Sequence, residues 1–225
     1  MTTTTRKWGA GLVLLCAMIA ACGGSSDPTF TVPPSAAATT PTMTPTTATP
    51  VPTTPPAEAP TVRSTAQGKV EGVDDSARSG TWSWKGLPFA RPPVGALRWR
   101  APAEPEAWAG IRPAKQFGNP CLQNGRIYGP GANNQYDPTI GTTLNQAVGS
   151  EDCLYLNIWR PATHHGGLPV IVFIHGGSNV SGYTADPVSD GAALAKAANA
   201  IVVTVNYRLG ILGFLNLPQL KTGTD

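Results

Sequence analysis

The chain has 225 residues, enough for one or two domains. Its 16 Lys+Arg against 13 Asp+Glu give a formal charge of +3, and two of those positives, Arg6 and Lys7, fall in a segment expected to be removed. What remains is close to neutral with no basic stripe, so nucleic acid is not an expected partner. The 23 prolines and 25 glycines are unevenly spread, and that unevenness divides the chain.

Arg6 and Lys7 precede an apolar stretch, Trp8 to Ala21. A bilayer span takes about 18 or more apolar residues, so this run reads instead as a secretory signal over residues 1–21. Its end, Ile19-Ala20-Ala21-Cys22, resembles a bacterial lipobox. The resemblance implies cleavage before Cys22 and lipid on its new N-terminus and sulfur. The alternative is an ordinary cut near Ala21 with Cys22 incidental. Gly23, not Asp, follows the cysteine, which in a cell with two membranes implies sorting to the outer one. The expected product is exported and lipid-anchored, at the outer membrane or cell surface.

Residues 22–64 are dominated by Thr, Pro, Ala and Ser, as in TPTMTPTTATPVPTTPPAEAP. Few large apolar residues occur, so nothing there offsets the entropy of ordering. Frequent proline favours extended, semi-rigid chain, and the stretch is expected to be a tether. Its Thr/Pro bias also suits sugar attachment.

Folded sequence is expected over residues 65–225. Gly68 to Val73 reads as a short strand and turn, and Thr81 to Trp84 as a second strand antiparallel to it. Lys85 to Trp99, with Pro92-Pro93 and flanking glycines, excludes helix and reads as a rigid extended loop.

The stretch Leu168 to Gly182, LPVIVFIHGGSNVSG, organises the rest. Val170 to Ile174 is a continuous β-branched and aromatic run, which suits a strand covered on both faces. Gly176 and Gly177 then let the backbone turn sharply and come close to another group. Successive amides there, those of Gly177 and Ser178 with Gly176 shaping the loop, can hold a developing negative charge. Ser189 or Asp190 can cap an alanine-rich helix to about Ala198, with Asn199 at its exit. Ala200 to Val205 reads as a second buried strand, parallel to the first. Gly210 to Phe214 is expected to turn back over the sheet.

Four segments, in order, resemble the type B carboxylesterases, the family that includes cholinesterases. GLPFARPPVGALRW is similar to its N-terminal segment and Glu151-Asp152-Cys153-Leu154-Tyr155-Leu156-Asn157 to its second signature. HGGSNVSGY is similar to its oxyanion loop, and Val203 to Gly210 to the strand that follows. The resemblance implies an α/β fold: the N-terminal part of an α/β-hydrolase, with a central mostly parallel sheet and antiparallel N-terminal strands, incomplete.

Further expectations come with the family. Cys16 leaves with the signal and Cys22 would be lipidated, so Cys121 and Cys153 remain as two buried thiols or a disulfide. The resemblance implies the disulfide. It also implies a structural salt bridge between Arg98 and Glu151, costly to break if buried and minor if exposed. In cholinesterases the loop between the cysteines carries a tryptophan for the cationic substrate head. Here residues 122–152 hold no Trp, only Tyr128 and Tyr136 as aromatics, so choline esters are a poor fit.

The family's nucleophile is a serine in G-x-S-x-G, served by a histidine and an acid. No G-x-S-x-G occurs in these 225 residues. The catalytic serine, acid and histidine are expected beyond Asp225. His175 opens the oxyanion loop, where the family uses it for packing. His164 and His165 sit in a turn with no Cys or acidic partner at ligand spacing, so no metal site is expected. No organic cofactor is implied. The expected partners are a small-molecule carboxylic ester and, through lipid, a membrane.

Three readings follow: the N-terminal portion of a serine esterase, inactive alone; a non-catalytic cholinesterase-like binding or adhesion module; or a stand-alone protein. The third conflicts with physics, because cutting the sheet here would leave a long apolar edge.

Overall fold

The structure is a computed structural model that describes residues 58–163 and 166–220. The signal segment, Cys22, most of the tether, His164, His165 and Asp225 lie outside the described residues. In chain order the elements are β1 (Val62–Ser64), β2 (Lys69–Glu71), β3 (Val73–Asp75), β4 (Thr81–Pro88), β5 (Ile111–Pro113), β6 (Gln123–Asn124), β7 (Ala147–Val148) and β8 (Tyr155–Pro161). Then come β9 (Val170–Ile174), α1 (Ala192–Ala198), β10 (Ile201–Val205) and α2 (Gly210–Phe214).

Five strands form the main sheet in the order β3-β4-β8-β10-β9. β3 with β4, β4 with β8 and β8 with β10 are antiparallel, while β10 and β9 run parallel with Val205 opposite Ile174. The sheet is thus mixed: antiparallel through its N-terminal strands and parallel at the pair that flanks α1. A small second sheet, β1-β2-β5, sits beside it.

Several boundaries differ from the sequence reading. β1 falls within the stretch assigned to the tether, because Val62 is buried and Val62–Ser64 pairs antiparallel with β2. The stretch read as a short strand and turn from Gly68 to Val73 holds β2, which joins the small sheet, and the start of β3, which is the antiparallel partner of β4. β4 continues through Lys85 to Pro88, into the expected loop, and its register with β8 shifts between Trp84 and Leu87. At that shift the Gly86 amide donates to the Asn157 side chain at 3.0 Å, so the irregular backbone stays satisfied. Gly210–Phe214 forms a short helix, where a turn was expected.

The core has two faces. On one, Val70, Trp84, Leu87 and Ala114 pack with Leu156 and Ile158 of β8. On the other, Trp159 of β8 and Val202 of β10 pack against Ala195 of α1. The alternation along β8 places Leu156 and Ile158 on one side and Asn157 and Trp159 on the other. α1 is entered through Asp190, whose carboxylate accepts the Ala192 amide at 2.8 Å. It leaves through Asn199 in the left-handed region, φ 47°.

β9 does not have the cover that its apolar run suggests. α1 packs on β4, β8 and β10. Val170, Val172 and Ile174 are 59%, 58% and 65% exposed, and among the described residues no strand pairs with the outer side of β9.

Candidate active site

At the end of β9 the chain meets a buried histidine. His175 stacks on Tyr207, ring centroids 4.6 Å apart. Its Nδ1 lies 2.9 Å from the Gly176 carbonyl, a contact that requires the proton on that nitrogen. Burial pushes the imidazole below its ordinary range, partly opposed by this hydrogen bond and by the charge of Asp186. The Tyr207 hydroxyl donates to the His175 carbonyl at 3.0 Å.

Beyond His175 the backbone takes three positive φ angles in a row: 121° at Gly177, 56° at Ser178 and 60° at Asn179. Two of these are non-glycine residues in the left-handed region, a cost that only over-determined surroundings sustain. Here the Gly177 carbonyl accepts the amides of Val180 and Ser181, both at 3.1 Å, and the Gly210 amide donates to the Asn179 carbonyl at 2.7 Å. A Cβ on Gly177 would lie 1.9 Å from the Ser181 carbonyl oxygen, so only glycine fits. Gly176 differs: a Cβ there would meet nothing within 4 Å. Gly176, Gly177 and Ser178 are exposed, and the Gly177 and Ser178 amides donate to no other group among the described residues.

The loop between the cysteines closes as a unit beside this turn. Cys121 and Cys153 form a disulfide, Cα atoms 4.9 Å apart, packed with Ala90, Leu154 and Leu209. β6 and β7 pair antiparallel within it. Gln123 of β6 accepts the Gly182 amide at 2.8 Å and donates to the Gly182 carbonyl at 2.9 Å. The same nitrogen lies 3.0 Å from the Cys121 carbonyl. An open pocket of about 640 Å³ lies between this loop and residues 181–186, lined by Gln123, Arg126, Tyr128, Leu144, Tyr183 and Asp186 among others.

Arg98 and Glu151 meet as a bidentate pair, at 2.6 and 2.5 Å, and line a small cavity with Cys121 and Cys153. The arginine side chain is 40% exposed and the carboxylate 21%. The guanidinium holds the Glu151 carboxyl below its usual range. The pair ties the Pro-rich loop to the entry of β8 and stands apart from Gly177 and Ser178 in sequence and role.

Behind the turn lies a polar network that the sequence did not single out. Asn157 is buried and donates to the hydroxyls of Thr184 and Thr204, at 3.0 and 3.1 Å. Asn206 accepts the Thr184 amide at 3.0 Å and donates to the Asn119 carbonyl at 3.0 Å. The available signal was an asparagine within one strand sequence, Asn157 in β8, and another directly after an apolar run, Asn206 beyond β10. Among the described residues no group of three His, Cys, Asp or Glu side chains is placed to hold a metal ion.

Comparison with known proteins settles the lineage. A family model described as the carboxylesterase family matches residues 59–222. This chain belongs to the carboxylesterase family. It is similar to a fumonisin B1 esterase of Sphingopyxis macrogoltabida, 46% identical over 161 residues, covering 71% of this chain and 26% of that protein. A para-nitrobenzyl esterase of Bacillus subtilis is 41% identical over 158 residues, 70% of this chain and 29% of that one. Among solved structures, a PNB esterase superposes with TM-score 0.60 at 38% identity, covering 72% of this chain and 30% of its own. The chain therefore spans about 30% or less of the length of these relatives. Its fold is the N-terminal part of an α/β-hydrolase, as those structures have.

Proposed function

We propose that this chain is the N-terminal portion of a carboxylic ester hydrolase and that it supplies the oxyanion hole. The carrying observation is the pair of unengaged amides at Gly177 and Ser178, on an exposed turn whose unusual backbone is fixed by its own carbonyl and by Gly210. Donors held in place before reaction stabilise the anionic carbonyl oxygen without reorganising, and losing one typically costs about 10²–10³ in rate. The serine that attacks the carbonyl, and the histidine and acid that serve it, belong to polypeptide following Asp225. The acyl-enzyme so formed is released by water. Small carboxylic esters are the substrate class, and the pocket between the disulfide loop and residues 181–186 is the candidate wall of their site. The N-terminal segment is exported and held to a membrane through lipid on Cys22.

The test is hydrolysis of a short-chain nitrophenyl ester by the full-length protein, with the 225-residue chain alone as control. Turnover by the full-length protein and none by the chain alone is expected. A coding sequence that continues homologously past Asp225 without a G-x-S-x-G serine would overturn the reading in favour of a binding module.

A further inference from the structure

We infer that Gln123 is a positioning residue for the oxyanion loop, an inference that rests on the function proposed above. Gln123 is buried, and its amide makes three hydrogen bonds: it accepts the Gly182 N–H at 2.8 Å and donates to the Gly182 and Cys121 carbonyls, at 2.9 and 3.0 Å. One N–H to accept and two carbonyls to serve fix which end of the amide is which. Gly182 is thereby held as if by a neighbouring strand.

The hold reaches the loop through contact. Gly182 has φ 118°, and a Cβ there would sit 2.3 Å from His175 Nδ1 and 2.5 Å from the Gly176 carbonyl oxygen, so its backbone lies directly against both. His175 Nδ1 in turn bonds that carbonyl. The Gly176 carbonyl and the Gly177 amide share one peptide plane, so fixing the carbonyl orients the amide. Ser181, which precedes Gly182, donates its amide to the Gly177 carbonyl, and that peptide plane carries the Ser178 amide. Both oxyanion donors are thus aimed by the span that Gln123 clamps. The other end of the clamp stands two residues from the disulfide, so the loop that walls the substrate pocket also sets the donors.

The test compares wild-type full-length protein with Gln123→Glu and Gln123→Ala. Gln123→Glu keeps the shape and the acceptor for Gly182 but loses the donor to two carbonyls. Turnover is read per active site counted by a phosphonate titrant, which removes misfolded protein from the measurement, and amide exchange is read over residues 176–182. Expected are a fall in kcat of about 10²-fold with KM little changed, as for a misplaced reacting geometry, and faster exchange confined to 176–182. Unchanged kcat per site, a change in KM alone, or exchange that rises throughout the domain would each overturn the inference. If wild-type protein hydrolyses no ester, the functional reading fails, and the exchange measurement alone decides: confined to 176–182 it upholds the clamp, unchanged or global it removes it.

Discussion

Tyr207 lies nearly flat against His175, planes 22° apart, while its hydroxyl holds the same residue's carbonyl. The imidazole is enclosed on one side by this ring and on another by the backbone of Gly182, and burial disfavours its charged form. Its folded pKa is lowered from 6.5, so the sign of the linkage follows. Below about pH 6.5 the unfolded chain binds a proton that the folded one refuses, and stability falls until the lowered folded pKa is reached. The expected outcome is an unfolding midpoint that drops as pH decreases from 7 through that window. His175→Phe, which keeps a ring for Tyr207, should flatten the slope there.

The two glycines of the turn should behave differently. Gly177→Ala places a methyl 1.9 Å from a backbone oxygen at a φ of 121°. It should cost about 1–3 kcal/mol in strain or more, measured by urea unfolding of the full-length protein, and abolish turnover. Gly176→Ala meets open space and should leave the unfolding midpoint nearly unchanged.

Asn157 and Asn206 are each 1–2% exposed, and both the oxygen and the nitrogen of each amide are hydrogen-bonded. Asn157→Leu removes the acceptor of the Gly86 amide and the donor to two threonine hydroxyls. Each buried group left without a partner costs about 1–3 kcal/mol, so this substitution should destabilise more than Leu156→Ala, at a position only half-buried. Chemical denaturation of the two variants side by side makes the comparison.

The disulfide closes a separation of 32 residues. In the chain-entropy model that is worth about 3–4 kcal/mol, and the double substitution Cys121→Ala, Cys153→Ala should lower stability by that order. Because the bridge also backs the Gln123 clamp, turnover at temperatures well below unfolding should fall as well, read in the same preparations.

Among the described residues β9 presents both an unpaired backbone side and exposed Val170, Val172 and Ile174. Such an edge recruits other chains. The 225-residue chain produced alone should be recovered mainly as aggregate. Val172→Lys should raise its soluble fraction, measured by centrifugation after lysis. An equally insoluble lysine variant would remove the edge as the cause.

Much of the architecture could be read from local pattern. The run at Val170–Ile174, the alanines before Asn199 and the run at Ile201–Val205 yield β9, α1 and β10, because in each the side chains repeat one chemistry over the whole element. β8 was recognisable as a family signature but not as a strand, since buried Asn157 interrupts the apolar pattern that marks one. The end of β4 was hidden for a related reason: Gly86 and Pro88 argue against a strand, and only a register shift with a side-chain acceptor from β8 accommodates them. At the site, the turn of Gly176, Gly177 and Ser178 was legible because glycine density marks close backbone approach. Gln123 was not. It lies in a loop rich in glycine and asparagine, and its role exists only once Gly182, 59 residues away, has been folded against it.

The strand order has a consequence for how the protein is made. β10 is the sole neighbour of β9 among the described residues, yet the ribosome produces it only after the loop and α1. β8, the strand that β10 joins on its other side, is already complete by then. When β9 emerges it therefore has nowhere to dock, and the sheet can be zipped only outward from β8 once β10 arrives to bridge the gap. That makes the turn carrying Gly177 and Ser178 one of the last features of this segment to take shape.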